Sequence, residues 1–224
     1  MIKPYYETEL GKLYHGDCLE IMPMLEPVDL VLTDPPYDPK THNGAILDIP
    51  IDFEPINNIN KMVSLFLSLS KRWVISFCSL ELLGEYKFAS GECWVRAGIW
   101  DRIINMPQIS GDRPAQACEG IAIMHPVGKK IWNGGGKAGI WRHRVERGFK
   151  KHPTQKPMTL FSELLLNFAK DNETILDPFF GSGTTGIVCE EFSLKWIGIE
   201  IEEKYCEIAA KRIEKERSQL KLFT

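Results

Sequence analysis

The chain has 224 residues, 44% hydrophobic and 25% charged, a balance that supports one large core and excludes global disorder. No apolar run approaches the ~20 residues of a membrane-spanning helix, and the first residues lack the apolar stretch of a secretory signal. The net charge of −3 hides a segregation: 129–156 carries nine Lys or Arg against Glu146 alone, a local +8 that leaves −11 elsewhere.

In chain order, Lys12–His15 reads as a short strand leading through Gly16-Asp17 to a helical stretch, Leu19–Leu25. Val28–Thr33 reads as a buried strand, halted by Asp34-Pro35-Pro36-Tyr37 because two prolines cannot continue a ladder. Residues 38–56, with Pro39, Gly44, Pro50 and Pro55, read as a loop. Ile59, Met62, Val63, Phe66 and Leu69 fall at helical spacing, followed by strand Arg72–Cys78, helix Leu80–Phe88 and strand Glu92–Ile99. Residues 101–118 look irregular, and Gly120–Met124 is a strand entering the basic stretch. Met158, Phe161, Leu164, Leu165 and Phe168 mark an amphipathic helix beginning at Pro157. Thr174–Leu176 is a strand running into a glycine-rich turn, with a helix to Phe192, strand Lys195–Ile199 and a charged helix, Glu202–Arg217. Alternating strands and helices predict an α/β fold with a doubly wound, mostly parallel sheet of about seven strands. The strands at 92–99 and 120–124 have no helix between them and are expected as an antiparallel pair at one edge.

The six cysteines, at 18, 78, 93, 118, 189 and 206, form no CxxC pair and accompany no paired His ligands. That spacing argues against a zinc site and a disulfide scaffold; no metal is expected, and the setting reads as reducing and cytoplasmic. Trp94 and Trp100 read as core rather than as surface rings.

The turn Asp177-Pro178-Phe179-Phe180-Gly181-Ser182-Gly183-Thr184-Thr185 lies between a strand and a helix, where such sheets bind nucleotide-like ligands. No Lys follows the last glycine, so it is not a P-loop, and the three-glycine dinucleotide spacing is missing. Asp177, beside a helix start, is placed to hold a cationic amine, and Glu200 ends the next strand, where an acid commonly grips ribose hydroxyls. Alone, Gly-Ser-Gly suits an ordinary tight turn equally well. With the strand-terminal acid it points to an adenosine-containing cofactor without a pyrophosphate.

Asp34-Pro35-Pro36-Tyr37 also follows a buried strand and belongs at the same sheet edge. An exocyclic amine on a base is a poor nucleophile because its lone pair is delocalised into the ring. Acceptors on its two N–H groups, the Asp34 carboxylate and the Pro35 carbonyl, would favour rehybridisation toward sp³. Pro36 stiffens the turn, and Tyr37 offers a ring on which an extruded base can stack.

Together with His152-Pro153-Thr154-Gln155-Lys156-Pro157, these strings resemble the S-adenosylmethionine-dependent DNA amino-methyltransferases, in the order of their β group. The resemblance covers essentially the whole chain. It implies a Rossmann-like methyltransferase sheet in permuted order, a single catalytic domain over 1–224 and S-adenosylmethionine as cofactor. By the same likeness, Asp17 and Cys18 meet the cofactor adenine, and Pro178, Phe179, Gly181, Ser182, Gly183, Thr184 and Thr185 form its loop. Glu200, with Ile201 beside it, meets the ribose; Thr154 and Lys156, with Asp34, approach the methionine end. The implied reaction is methylation of adenine N6 in a flipped-out base, because the turn begins with Asp where cytosine-N4 enzymes more often have Ser.

In this group, the interval at about 126–151 is a target-recognition insertion, here short and basic. Its Lys129, Lys130, Arg142, Arg144, Arg147, Lys150 and Lys151 are candidates for phosphate or groove contacts, and Trp132, Trp141 and Phe149 for stacking on bases. So short an element predicts a short or relaxed target site. Double-stranded DNA is the expected partner; a homodimer and a cognate restriction endonuclease are compatible with the family and established by no residue. A cytosine-N4 enzyme, an RNA adenine methyltransferase and a catalytically silent nucleic-acid-binding module remain as alternatives.

Overall fold

The computed structural model describes residues 2–36, 58–103, 111–112, 114–145 and 156–220. Its strands are β1 (Tyr6–Glu7), β2 (Gly11–His15), β3 (Val28–Thr33), β4 (Ser70–Cys78), β5 (Trp94–Asp101), β6 (Cys118–Met124), β7 (Ile140–Arg142), β8 (Thr174–Asp177) and β9 (Lys195–Glu200). The α-helices are α1 (Cys18–Ile21), α2 (Ile59–Leu69), α3 (Leu83–Ser90), α4 (Met158–Phe168), α5 (Thr184–Glu191) and α6 (Glu203–Leu220). The strands form one sheet in the order β1-β2-β9-β8-β3-β4-β6-β5-β7. Five central strands, β2, β9, β8, β3 and β4, run parallel.

Period-two alternation sorts the strand side chains onto two faces. Trp73, Ile75 and Phe77 of β4 and Ile121 and Ile123 of β6 pack with Leu160, Leu164, Ile187, Ala209 and Ile213 of α4, α5 and α6. Val74 and Cys78, with Ala122 and Met124, pack with Cys18, Met62, Phe66 and Tyr86 of α1, α2 and α3. The central strands are therefore apolar on both faces, as a doubly covered parallel sheet requires. Among the described residues no helix is long and apolar enough to cross a membrane.

The expected elements form near their expected bounds, with three departures. Among the described residues nine strands replace the expected seven, because β1 has two residues and β7 three, too short for any periodicity to register. β5 and β6 do pair antiparallel, but β6 lies inside, between β4 and β5, and β7 closes the edge by pairing parallel with β5. Two expected helices are split, 80–88 with a 3-10 turn at Leu80–Leu82 preceding α3, and 19–25 with a 3-10 turn at Met22–Met24 following the four-residue α1. The loop expected at 38–56 lies outside the described residues.

Candidate active site

The crossover after β3 passes through α2 to β4, whereas that after β8 passes through α5 to β9, so the chain leaves in opposite directions on either side of the β8–β3 pair. This is the topological switch point, where open α/β sheets leave a crevice at the strands' carboxyl ends. Asp17 follows β2, Asp34 follows β3, Asp177 ends β8 and Glu200 ends β9, all on that edge. The two sides meet directly: the Thr33 hydroxyl, one residue before Asp34, donates to Asp177 Oδ1 at 2.8 Å.

On the glycine-rich side, Asp177 is buried, and accepts from the Phe179 N–H at 3.1 Å through Oδ1 and from the Thr185 hydroxyl at 2.5 Å through Oδ2. Burial pushes its carboxyl up to about 6, against the pull of these bonds. Three of its roughly four lone-pair sites are thus taken by Thr33 and its own turn, leaving at most one for a ligand amine. Glu200 accepts from the Gly181 N–H at 2.7 Å and the Glu202 N–H at 2.8 Å, one on each oxygen, and burial raises its carboxyl. Each Glu200 oxygen keeps a lone pair, the pattern that suits two adjacent hydroxyls.

Asp17 caps α1, accepting from the Leu19 N–H at 2.7 Å. Buried Cys18 has its thiol pushed up to about 12 by burial, so it packs as an inert apolar group. Pro178 is buried, Phe179 packs half-buried against the cluster that holds Cys18, and Ile201 stands exposed at the rim. Gly181 is left-handed (φ 52°), and a Cβ there would meet nothing within 4 Å, so it faces open space. Gly183 is also left-handed (φ 84°), but its Cβ would fall 2.9 Å from that of Ala209 on α6. That glycine lets the turn lie against α6, and Arg212 of α6 binds the Ser182 carbonyl and hydroxyl at 2.5 and 2.8 Å. Thr184 opens α5.

On the other side, Pro35 is buried and Asp34 half-buried. Lys156 donates to Asp34 Oδ2 at 2.6 Å and lies 3.0 Å from Glu119 Oε2, while Arg102 pairs with Glu119 Oε1. The Lys156 ammonium lies 5.2 Å from the centre of the Phe77 ring and 5.7 Å from that of Trp100. Its burial lowers its pKa, opposed mainly by the Asp34 charge. Among the described residues, buried Asp34 Oδ1 has no hydrogen-bond partner. Sequence reasoning missed Glu119 and Arg102; a lone acid inside the apolar strand Cys118–Met124 was the available signal. Tyr37 and Thr154 lie outside the described residues.

The basic segment is less of a loop than its charge suggests. Trp141 is 1% exposed and donates to Asn167 Oδ1 at 3.0 Å, and Trp132 packs edge-on to Phe168. The Trp141 ring is core, not a stacking platform, because β7 joins the sheet and α4 covers it, and half-buried Trp132 packs against that core. Phe149 lies outside the described residues. Lys129, Lys130 and Arg144 are exposed, and Arg142 pairs with Asp101 at 3.1 Å. Arg147, Lys150 and Lys151 are not among the described residues. Trp100 is buried as expected and donates to the His143 carbonyl at 2.9 Å.

A mostly parallel sheet covered by helices on both faces, with acids gathered at its switch point and an aspartate-proline-proline turn among them, defines an α/β fold of the open, ligand-binding class. The chain belongs to the DNA methylase family, whose profile matches residues 95–211. It is 29% identical to the Type II methyltransferase M.HinfI of Haemophilus influenzae over 255 aligned positions, covering 95% of this chain and 71% of that protein. It is 26% identical to the Type II methyltransferase M2.DpnII of Streptococcus pneumoniae, covering 96% and 94%. The crystal structure of the M1.HpyAVI–SAM complex superposes with a TM-score of 0.73 at 25% identity, covering 91% of this chain and 100% of that one. The cytosine-N4-specific PvuII DNA methyltransferase shares the fold, with a TM-score of 0.71 at 18% identity, covering 96% and 93%.

Proposed function

We propose that the protein methylates the N6 amine of adenine in double-stranded DNA, using S-adenosylmethionine. The observation that carries this reading is the Thr33–Asp177 bond, which joins the Asp34 turn to the glycine-rich turn within one crevice. The donor set fits the cofactor: two free lone pairs on Glu200 for ribose hydroxyls, and open space over Gly181 for close backbone approach. When bound, S-adenosylmethionine supplies an electrophilic methyl group on its sulfonium.

Asp34 Oδ1, buried and unpartnered, accepts one N–H of the target amine, and the Pro35 carbonyl accepts the other. Both acceptors draw the nitrogen toward sp³ and stabilise the positive charge that develops on it during transfer. Holding the amine in line with the methyl group supplies the remainder through orientation. Tyr37 stacks on the extruded base, recovering part of the few kcal/mol that unstacking costs. Lys129, Lys130, Arg142 and Arg144, with Arg147, Lys150 and Lys151, hold DNA phosphates in a short recognition element at about 126–151 of a single catalytic domain. The setting is cytoplasmic; a homodimer and a cognate restriction endonuclease are compatible partners.

Asp34→Ala should cut turnover by about 100- to 1000-fold, the scale for losing one preorganised transition-state contact, while calorimetry finds S-adenosylmethionine affinity within about twofold. A variant with the wild-type rate refutes the assignment. Mass spectrometry of methylated DNA digests should find N6-methyladenine; N4-methylcytosine would move the reading to the cytosine enzymes.

A further inference from the structure

We propose that Lys156 and Glu119 are positioning residues for methyl transfer: the ammonium of Lys156, anchored on Glu119, grips one oxygen of Asp34 so that the other is left to the target amine. This deepens the function proposed above and rests on it. It also gives Lys156 a role different from the cofactor contact that its place in His152–Pro157 suggests.

An aspartate carboxylate turns readily about its last torsion, since that sp³–sp² rotation is broad and roughly two-fold. A turn containing Asp34 therefore does not by itself aim either oxygen. The 2.6 Å bond from Lys156 to Oδ2 removes that freedom and leaves Oδ1 buried without a partner among the described residues. Buried acceptors in native folds nearly always have donors, so an orphan at a crevice is the place for a donor the ligand brings. An amino N–H is such a donor.

Glu119 has a separate task. An ammonium paired with Asp34 alone would cancel the negative charge that the transition state needs. Glu119 Oε2, 3.0 Å from the same nitrogen, divides the ammonium between two carboxylates, so Asp34 keeps more of its charge. Arg102, just beyond β5, pairs with the far oxygen of Glu119. The Phe77 and Trp100 rings hold the ammonium in place from the sheet. Among the described residues, charged or titratable groups acting on Lys156 include Asp34 after β3, Cys78 of β4, Arg102 after β5 and Glu119 of β6.

The test uses the full chain with Lys156→Met, Glu119→Gln and the double variant. It measures single-turnover transfer at saturating S-adenosylmethionine, S-adenosylmethionine affinity by calorimetry, and folding by circular dichroism. Transfer should slow about 100-fold in Lys156→Met and about tenfold in Glu119→Gln, the scale of small misplacements of a reacting group. Cofactor affinity should stay within about twofold in both. Because Glu119 acts through Lys156, the double variant should be no slower than Lys156→Met alone. Affinity falling in step with rate would make Lys156 a cofactor contact and overturn the proposal, as would multiplicative losses in the double variant. If Lys156→Met does not fold, Glu119→Gln decides: a slowed rate with intact affinity supports the proposal, an unchanged rate overturns it. A wild-type protein that methylates no adenine would instead defeat the underlying functional reading.

Discussion

On the glycine-rich side of the crevice, carboxylates are held mostly by groups near them in sequence, the Thr33 hydroxyl on Asp177 being the long-range exception. Asp177 takes the Phe179 N–H and the Thr185 hydroxyl, and Glu200 takes the Glu202 N–H as well as that of Gly181. On the other side, Asp34 is held by Lys156, 122 positions away, which is shared with Glu119 and through it with Arg102. Short side chains and backbone donors lose little rotamer entropy when ordered, so the first arrangement is a rigid cradle. Long charged side chains lose more, and their ion pairs survive burial only with satisfied geometry. The first side is built for shape, the second for charge.

The largest contrast should come within the glycine turn itself. Gly183→Asp puts a Cβ 2.9 Å from that of Ala209 in a left-handed conformation, and should destabilise the fold by about 3 kcal/mol or more. Gly181→Ala points into open space, and should cost only about 1–2 kcal/mol of backbone strain while weakening S-adenosylmethionine binding. Urea denaturation beside calorimetric titration separates the two, and equal stability losses would break the distinction.

Next in size is a pH effect on the cradle. The Asp177 carboxyl titrates at about 6 in the fold against an ordinary 3.8, so the folded state binds that proton more tightly than the unfolded chain. Its stabilising contribution is complete below about pH 4 and lost as pH rises through about 6, a swing on the order of 3 kcal/mol. The melting temperature of wild type relative to Asp177→Asn should therefore fall between those limits and level off above them. A difference independent of pH would mean the carboxyl is not desolvated.

The smallest effects belong to the outer charges. Arg142, whose side chain is 68% exposed, pairs with Asp101, and Arg142→Ala should change stability by less than about 1 kcal/mol. Lys129→Ala and Lys130→Ala should each lower the slope of log DNA affinity against log salt by about 0.9 per lost phosphate contact. An unchanged slope would remove these lysines from the DNA-facing surface.

The alternating elements, the switch-point turns and the acids at strand ends were all legible in sequence. Each is a local pattern: an apolar run, a proline pair that stops a strand, a glycine that turns left-handed. β1 and β7 were not, being two and three residues long and defined only by the neighbours they pair with. Trp141 looked like a stacking ring among cations because composition cannot tell that β7 carries it under α4.

What the chain alone determined is the order of its strands and helices and the chemistry at each strand end, because backbone propensity and turn chemistry act over a few residues. Only the tertiary structure decided that Lys156 meets Asp34 and Glu119 rather than solvent, and that one Asp34 oxygen is unpartnered among the described residues. Pairing of long charged side chains depends on which strands lie side by side and on the low-dielectric space between them, and neither is encoded at any single position.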